Sequence, residues 1–340
     1  MSWLGFAIGL ALVLFTWGTV MKTLVLTRAY APLLERAVIV GLRRVYIGVA
    51  SALPTHDRRD NFFSTLAPIV LLIQLASWLA LFFLAHALML WPFVDGGLAE
   101  GTRASGSSLF TLGVSGPDGP APTALLFVAA ATGIVVVALY IAYLPTLYGQ
   151  FNTREAAVSQ LEARSDAPPS GPNVLASHQQ SGLLDTLPTL YARWDQLVAE
   201  VSVAINHYPL LAWFRGQDSR TSWITSLLAV LDSAALYAAL APDKAPVECR
   251  ALVLTSTHAL EKVSKTLDFA MSDQRDHSRS SEPSYDEFVR EYERLRTGGF
   301  PITASREDAW DVFHTERDKY ADRIHSLAQT ALAPPAPWAG

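Results

Sequence analysis

Three long runs without a charged side chain fall within the first 148 residues, and they constrain this chain more than any other feature. Trp3 to Val20, about Leu66 to Phe93, and Pro122 to about Tyr143 contain no Asp, Glu, Lys or Arg. A run of about 18 or more such residues crosses the roughly 30 Å hydrocarbon core of a bilayer as a helix. The first run could instead be a cleavable signal peptide. That reading needs a basic start and a small-residue cleavage site; Met-Ser-Trp has no base, and a retained span is expected. Gln74, Ser77 and His86 are the polar members of the second run. Pro122 suits the first turn of the third helix, and Pro145 is expected to close it.

Composition agrees with this division. Hydrophobic residues make up 51% of the 340 and charged residues 17%, against about 25% charged in ordinary soluble domains. A net charge of −5 excludes a whole-chain basic surface for nucleic acid. The single cysteine, Cys249, cannot make an intrachain disulfide, a zinc cluster or an iron–sulfur site.

The loops orient the spans. Between the first two lie Lys22, Arg28, Arg36, Arg43, Arg44, Arg58 and Arg59, against Glu35, Asp57 and Asp60. Between the second and third lies Arg103, against Asp95, Glu100 and Asp118. Basic loops stay inside. The expectation is a multi-pass protein of the plasma (inner) membrane, N-terminus outside and C-terminal domain cytoplasmic. Pro32 to Ala52 reads as an amphipathic helix. It either lies in the membrane interface or packs on the cytoplasmic domain.

The outer loop carries Ser107-Ser108-Leu109-Phe110-Thr111-Leu112-Gly113-Val114-Ser115-Gly116. Here the chain resembles the pore-loop cation channels of the potassium-channel superfamily: outer helix, short pore helix, a filter beginning Thr-x-Gly, inner helix. The resemblance covers about 85 residues, with outer helix 66–93, pore helix roughly 99–110, filter 111–115 and inner helix 122–148. It implies a homotetramer around a shared axis, with potassium or another monovalent cation as the permeant ion and no cofactor or metal. A filter replaces the ion's water shell with rings of backbone carbonyls. Those of Thr111, Leu112, Gly113 and Val114 would form the rings, and the Thr111 hydroxyl an inner one. The family's usual Thr-Val-Gly-Tyr-Gly is altered: Val114 stands at the tyrosine and Ser115 at the second glycine, with Gly116 one residue later. Weak discrimination between potassium and sodium is the expectation. Asp118 would sit at the pore mouth. Gly133, mid-way along the third span, is a candidate gating hinge or a close-packing position. The other reading of 107–116 is a plain exposed loop.

The rest reads as all-helical. Gln150 to Arg164 extends the last span, and Pro168 to Pro172 breaks it. Apolar residues recur at three and four from Leu187 to Ile205 and from Trp223 to Leu236, and another helix spans about Pro246 to Met271. Ser284 to Glu287 and Ser305 to Asp308 look like capping boxes. Asp273 to Pro283 reads as a polar loop. Asn206 to Phe214 is an aromatic corner that suits core packing or a ligand pocket. There is no phosphate-binding glycine loop, dinucleotide fingerprint or nucleophile elbow, and His258 with Glu261 is too little for a metal, so no enzyme is expected. The divisions expected are 1–28 (first span), 29–65 (amphipathic linker), 66–148 (pore module, with its loop at 99–116), 149–180 (linker), 181–333 (helical cytoplasmic domain) and 334–340 (tail). The functions in view are a cation channel subunit and, against it, a non-conducting membrane scaffold or sensor whose helical domain binds a partner.

Overall fold

The computed structural model describes residues 2–26, 33–50, 53–54, 56–114, 116–165, 167–216, 218–271, 283–334, 336 and 338. Among these residues the protein is all-helical, with no strand. The first helices are α1 (Ser2–Leu24), α2 (Leu33–Ala50), α3 (His56–Ser64), α4 (Leu66–Leu90), α5 (Gly97–Leu109) and α6 (Pro120–Glu162). Then come α7 (Gly171–Gln180), α8 (Leu187–His207), α9 (Trp223–Leu240), α10 (Val247–Met271), α11 (Tyr285–Thr297), α12 (Arg306–Arg317) and α13 (Ala321–Ala331). The chain divides into two compact units, one of residues 1–45 and 66–148, the other of 46–65 and 149–340.

In the first unit, α1 lies on α4 because glycines let the backbones meet. A Cβ on Gly9 would stand 2.6 Å from the Ala85 carbonyl, and one on Gly5 2.8 Å from the Trp91 ring. Gly5 and Gly9 are four apart on one face, the spacing that brings membrane helices together without a hydrophobic drive. Trp17 packs on Phe82 at 5.4 Å between ring centroids. The Thr16 hydroxyl donates back to the Leu12 carbonyl at 2.7 Å and the Thr19 hydroxyl to the Thr16 carbonyl at 2.8 Å, so both hydroxyls are satisfied within the apolar run. Tyr140 of α6 donates to the Leu71 carbonyl of α4 at 2.6 Å, and its ring meets Trp78 edge-on. Thr23 donates to the buried Glu35 carboxylate at 3.3 Å. Burial pushes the Glu35 carboxyl up to about 7.

Among the described residues four helices are long and apolar enough to cross a membrane: α1, α4 (with the turns that flank it), α6 and α9. Their surroundings differ. The apolar windows of the first three are 33%, 39% and 28% buried within the protein, that of α9 94%. A helix apolar all round belongs either in lipid or in a protein core. The second unit is built around α9, which packs against α7, α10, α12 and α13. Gly171 at the start of α7 approaches so closely that a Cβ would lie 2.7 Å from the Asp232 Cβ. Asp232 accepts from Tyr320 Oη at 2.7 Å and from Arg317 Nε at 3.2 Å. Burial pushes its carboxyl up, and the Arg317 guanidinium opposes the rise. Ser222 and Thr225 form a reciprocal capping box that starts α9.

Some details differ from the sequence expectation. Pro145 does not end the third apolar helix; α6 runs through it to Glu162. Proline removes one backbone donor, and the remaining ladder carries the helix on. Residues 171–180 are not connecting chain but a helix with six buried residues, opened by the Ser170 cap and the following proline. The box at Ser284 is reciprocal with Glu287. At Ser305 the hydroxyl accepts from the Asp308 N–H, while Asp308 Oδ2 accepts the Ser305 hydroxyl rather than its N–H. The 206–214 corner is core: Pro209–Trp213 form a buried 3-10 turn. Its carbonyls receive the buried Arg154 side chain, Nη1 on Leu211 and Nη2 on Phe214, both at 2.9 Å. Most of the polar stretch 273–283 and Ser115 lie outside the described residues.

Candidate functional site

The loop singled out by its sequence follows α5, and α5 owes its position to small residues. Glycine and serine are poor helix formers, yet Gly101, Ser105, Gly106, Ser107 and Ser108 all lie within it. They let it lie flush against its neighbours in the same unit. A Cβ on Gly101 would stand 2.8 Å from the Ala87 carbonyl. Ser105 donates to the Phe83 carbonyl at 2.8 Å. Gly106 sits under the Phe83 ring. On the other side Ser108 donates to the Leu126 carbonyl of α6. Gly133 lies where α6 meets the end of α5: its Cβ would fall 2.1 Å from the Leu109 carbonyl oxygen. α6 is unbroken helix through Gly133. The geometry there is that of a close-packing position.

The chain then turns sharply at Phe110. Thr111 N donates to the Ser108 carbonyl at 2.9 Å and Leu112 N to the Ser107 carbonyl at 2.7 Å. That pair of bonds is the Schellman ending of a helix, with a left-handed residue just past the cap. Glycine usually fills that place; here it is Thr111, at φ 55°. A β-branched residue in that region carries strain of about 1–3 kcal/mol. Gly113 is left-handed too, at φ 67°. Its N–H reaches the Ser107 carbonyl at 3.3 Å, and Val114 N donates to the Ser107 hydroxyl at 2.8 Å.

Three successive N–H groups, those of Leu112, Gly113 and Val114, thus converge on the two oxygens of Ser107. In a planar trans peptide the N–H of one residue and the C=O of the residue before it point in opposite directions. The carbonyls of Thr111, Leu112 and Gly113 therefore face away from Ser107, fanning outward as their partner N–H groups converge. Among the described residues they accept no hydrogen bond. Residues 110–114 and Gly116 are exposed in the single chain, Leu112 at 66% and Val114 at 74%. Asp118 is exposed as well. Arg103, the one base of the loop, is paired with Glu100 at 3.2 Å, which leaves Asp95 and Asp118 to set its sign.

The structure thus leaves Thr111, Leu112 and Gly113 as a row of three successive outward-facing carbonyls and packs Gly133 against Leu109 at the end of α5. Ser107 and Ser108 emerge as the residues that hold the row, the first by tying its N–H groups and the second by tying α5 to α6. Their only sequence signal was two hydroxyls ahead of the Thr-x-Gly. Among the described residues no group of three or more His, Cys, Asp or Glu side chains could hold a metal. Comparison with known proteins returns nothing: no family model, curated protein or solved structure matches the chain.

Proposed function

We propose that the protein is one subunit of a passive cation channel of the inner (plasma) membrane. In this reading α1, α4 and α6 span the bilayer, α5 and residues 110–116 dip back between the last two spans, and four copies surround one axis. The N-terminus is outside and the second unit cytoplasmic, where α9 is its core. The observation that carries the proposal is the row of carbonyls of Thr111, Leu112 and Gly113, turned from their helix and unpartnered. Irregular backbone at membrane depth is tolerated only where it is buried or lines water. A fourfold ring of such rows would give a cation three layers of oxygens in place of its hydration shell. The end of α5 adds the negative pole of its dipole on the same side.

Weak selectivity between potassium and sodium follows from Val114, which offers no hydrogen bond with which to brace the outer rings. Purified protein in liposomes tests both points. Wild-type vesicles should pass potassium and sodium at rates within about an order of magnitude. Gly113→Asp should abolish flux without loss of protein. A Cβ at Gly113 meets nothing within 4 Å, so only the left-handed φ is disturbed, and folding should survive. Absence of cation flux from well-folded wild-type protein would sink the proposal in favour of a membrane scaffold.

A further inference from the structure

The second unit holds a cleft between the end of α6 and the start of α8. It has a volume of about 80 Å³, and Ala157, Gln160, Arg164, Thr189, Arg193 and Trp194 help line it. A site of roughly 10–15 Å³ by the same measure holds one water, so this space has room for a polyatomic group. Its chemistry is one-sided. Two guanidiniums, an amide and a hydroxyl line it, and no carboxylate does.

Arg154, Arg215, Arg220 and Arg317 in the same unit are each paired with a carboxylate. Among the described residues, Arg164 and Arg193 make no ion pair. Arg193 donates instead across the cleft to the Gln160 side-chain oxygen. That bond joins the two side chains across the cleft they both line. Spacing explains part of the convergence: residues 157 and 160 are three apart on α6, Arg164 follows in the turn that closes the helix after Glu162, and 189 and 193 are four apart on α8. The first turn of α8 adds to the positive field. Thr186, at its N-cap, gives no side-chain cap; its hydroxyl donates backwards to Leu183 at 2.7 Å. Leu187 N–H already donates to the Leu184 carbonyl and Pro188 has none, so Thr189 and Leu190 carry the orphan N–H groups of this helix start, which attract anions. The Trp194 ring, 2% exposed, makes an apolar floor that no competing acid occupies.

We propose that this cleft binds a phosphate group, held between Arg164 and Arg193, with the Gln160 amide and Thr189 hydroxyl as further donors. Paired, planar guanidiniums are suited to phosphate because each offers two parallel N–H bonds. The proposal does not depend on ion conduction. The phosphate could belong to a soluble ligand or to a lipid headgroup, and one experiment separates them.

Full-length protein in mild detergent is titrated calorimetrically, at constant ionic strength, with pyrophosphate and separately with dioctanoyl phosphatidic acid. Saturable binding of pyrophosphate indicates a soluble ligand. Binding of phosphatidic acid without pyrophosphate indicates a headgroup. In either case Arg164→Gln with Arg193→Gln should weaken binding at least tenfold. Arg250→Gln, on exposed α10 surface away from the cleft, should leave it unchanged. Both cleft arginines are exposed, so the double variant should keep the wild-type melting profile. Should it not, single substitutions that each weaken binding severalfold serve in its place. No saturable binding of either probe, or equal binding by wild type and cleft variants, would overturn the assignment.

Discussion

Gly133→Ala is the substitution with the most to say about the loop. Its added Cβ would lie 2.1 Å from the Leu109 carbonyl oxygen, and real Cβ contacts essentially never fall below 3.0 Å. The end of α5 and α6 must therefore part by at least 3.0 − 2.1 = 0.9 Å. The listener to that movement is the turn itself, because Leu109 is the last residue of α5 and the Ser107 oxygens that gather its N–H groups are two residues back. Overpacking of this kind costs about 1–3 kcal/mol, while alanine in a helix gains about 1 kcal/mol over glycine. Gly149, in the same helix, isolates the gain, for its Cβ would meet nothing within 4 Å. Gly149→Ala should raise the melting temperature of the purified protein slightly. Gly133→Ala should lower it relative to Gly149→Ala by the clash alone, and cut cation flux in liposomes severalfold. If Gly133→Ala melts at or above Gly149→Ala and conducts as wild type, the close contact between α5 and α6 is wrong, and with it the support for the carbonyl row.

Other outcomes follow from groups outside the loop. Glu35 titrates near 7 in the folded protein against 4.5 when unfolded, so the folded state holds the extra proton between those values. Stability should fall as pH rises from 4.5 to 7, by about 3 kcal/mol in total, and stay level above; Glu35→Gln should flatten that slope in thermal melts. The segment between α4 and α6 carries three acids and one base, −2 per chain, which in the proposed tetramer gives 4 × (−2) = −8 at the mouth. Asp118→Asn should lower cation flux more at 10 mM than at 1 M salt, since the Debye length falls from about 30 to 3 Å; an equal effect at both would remove the electrostatic account. Arg154→Met removes the two guanidinium bonds to the Leu211 and Phe214 carbonyls and the charge beside Glu155. Breaking a buried ionic cluster costs about 3–5 kcal/mol, and a chemical melt should show it, whereas a shift under 1 kcal/mol would show Arg154 to be dispensable.

The sequence was legible wherever one stretch of chain determines its own structure. The three charge-free runs, the helical periodicity from Leu187 onward and the Ser284 box are of that kind. What escaped depends on a distant partner. Gly5 and Gly9 show the four-residue spacing of a helix contact, but the surface they fit, Ala85 and Trp91, lies some 80 residues on. Nothing near Arg154 says that its guanidinium ends on carbonyls at 211 and 214. Residues 171–180 read as connecting chain because prolines precede them. The same Ser170 and Pro172 that suggest a break are the cap and first turn of α7. At the loop, the Thr-x-Gly drew attention to Gly113, while the turn is made by Thr111, a residue whose type argues against a left-handed backbone.

The carboxylate of Asp232 has a consequence for how this protein is made. It stands at the middle of Trp223–Leu240, a segment long and apolar enough for a bilayer. In the proposed topology, a nascent chain that has already delivered three apolar helices presents this fourth one to the same insertion machinery. Its partners, Arg317 and Tyr320, lie 85 and 88 residues further along and have not yet been synthesised. An unpaired aspartate at the centre of a helix adds about 2.5–3.5 kcal/mol to the cost of insertion, enough to offset the gain from several leucines. The group that later locks α12 onto α9 is therefore, at the ribosome, a signal to stay in water. In that topology one side chain serves both insertion and folding, read first for its charge alone and afterwards for the two donors that reach it.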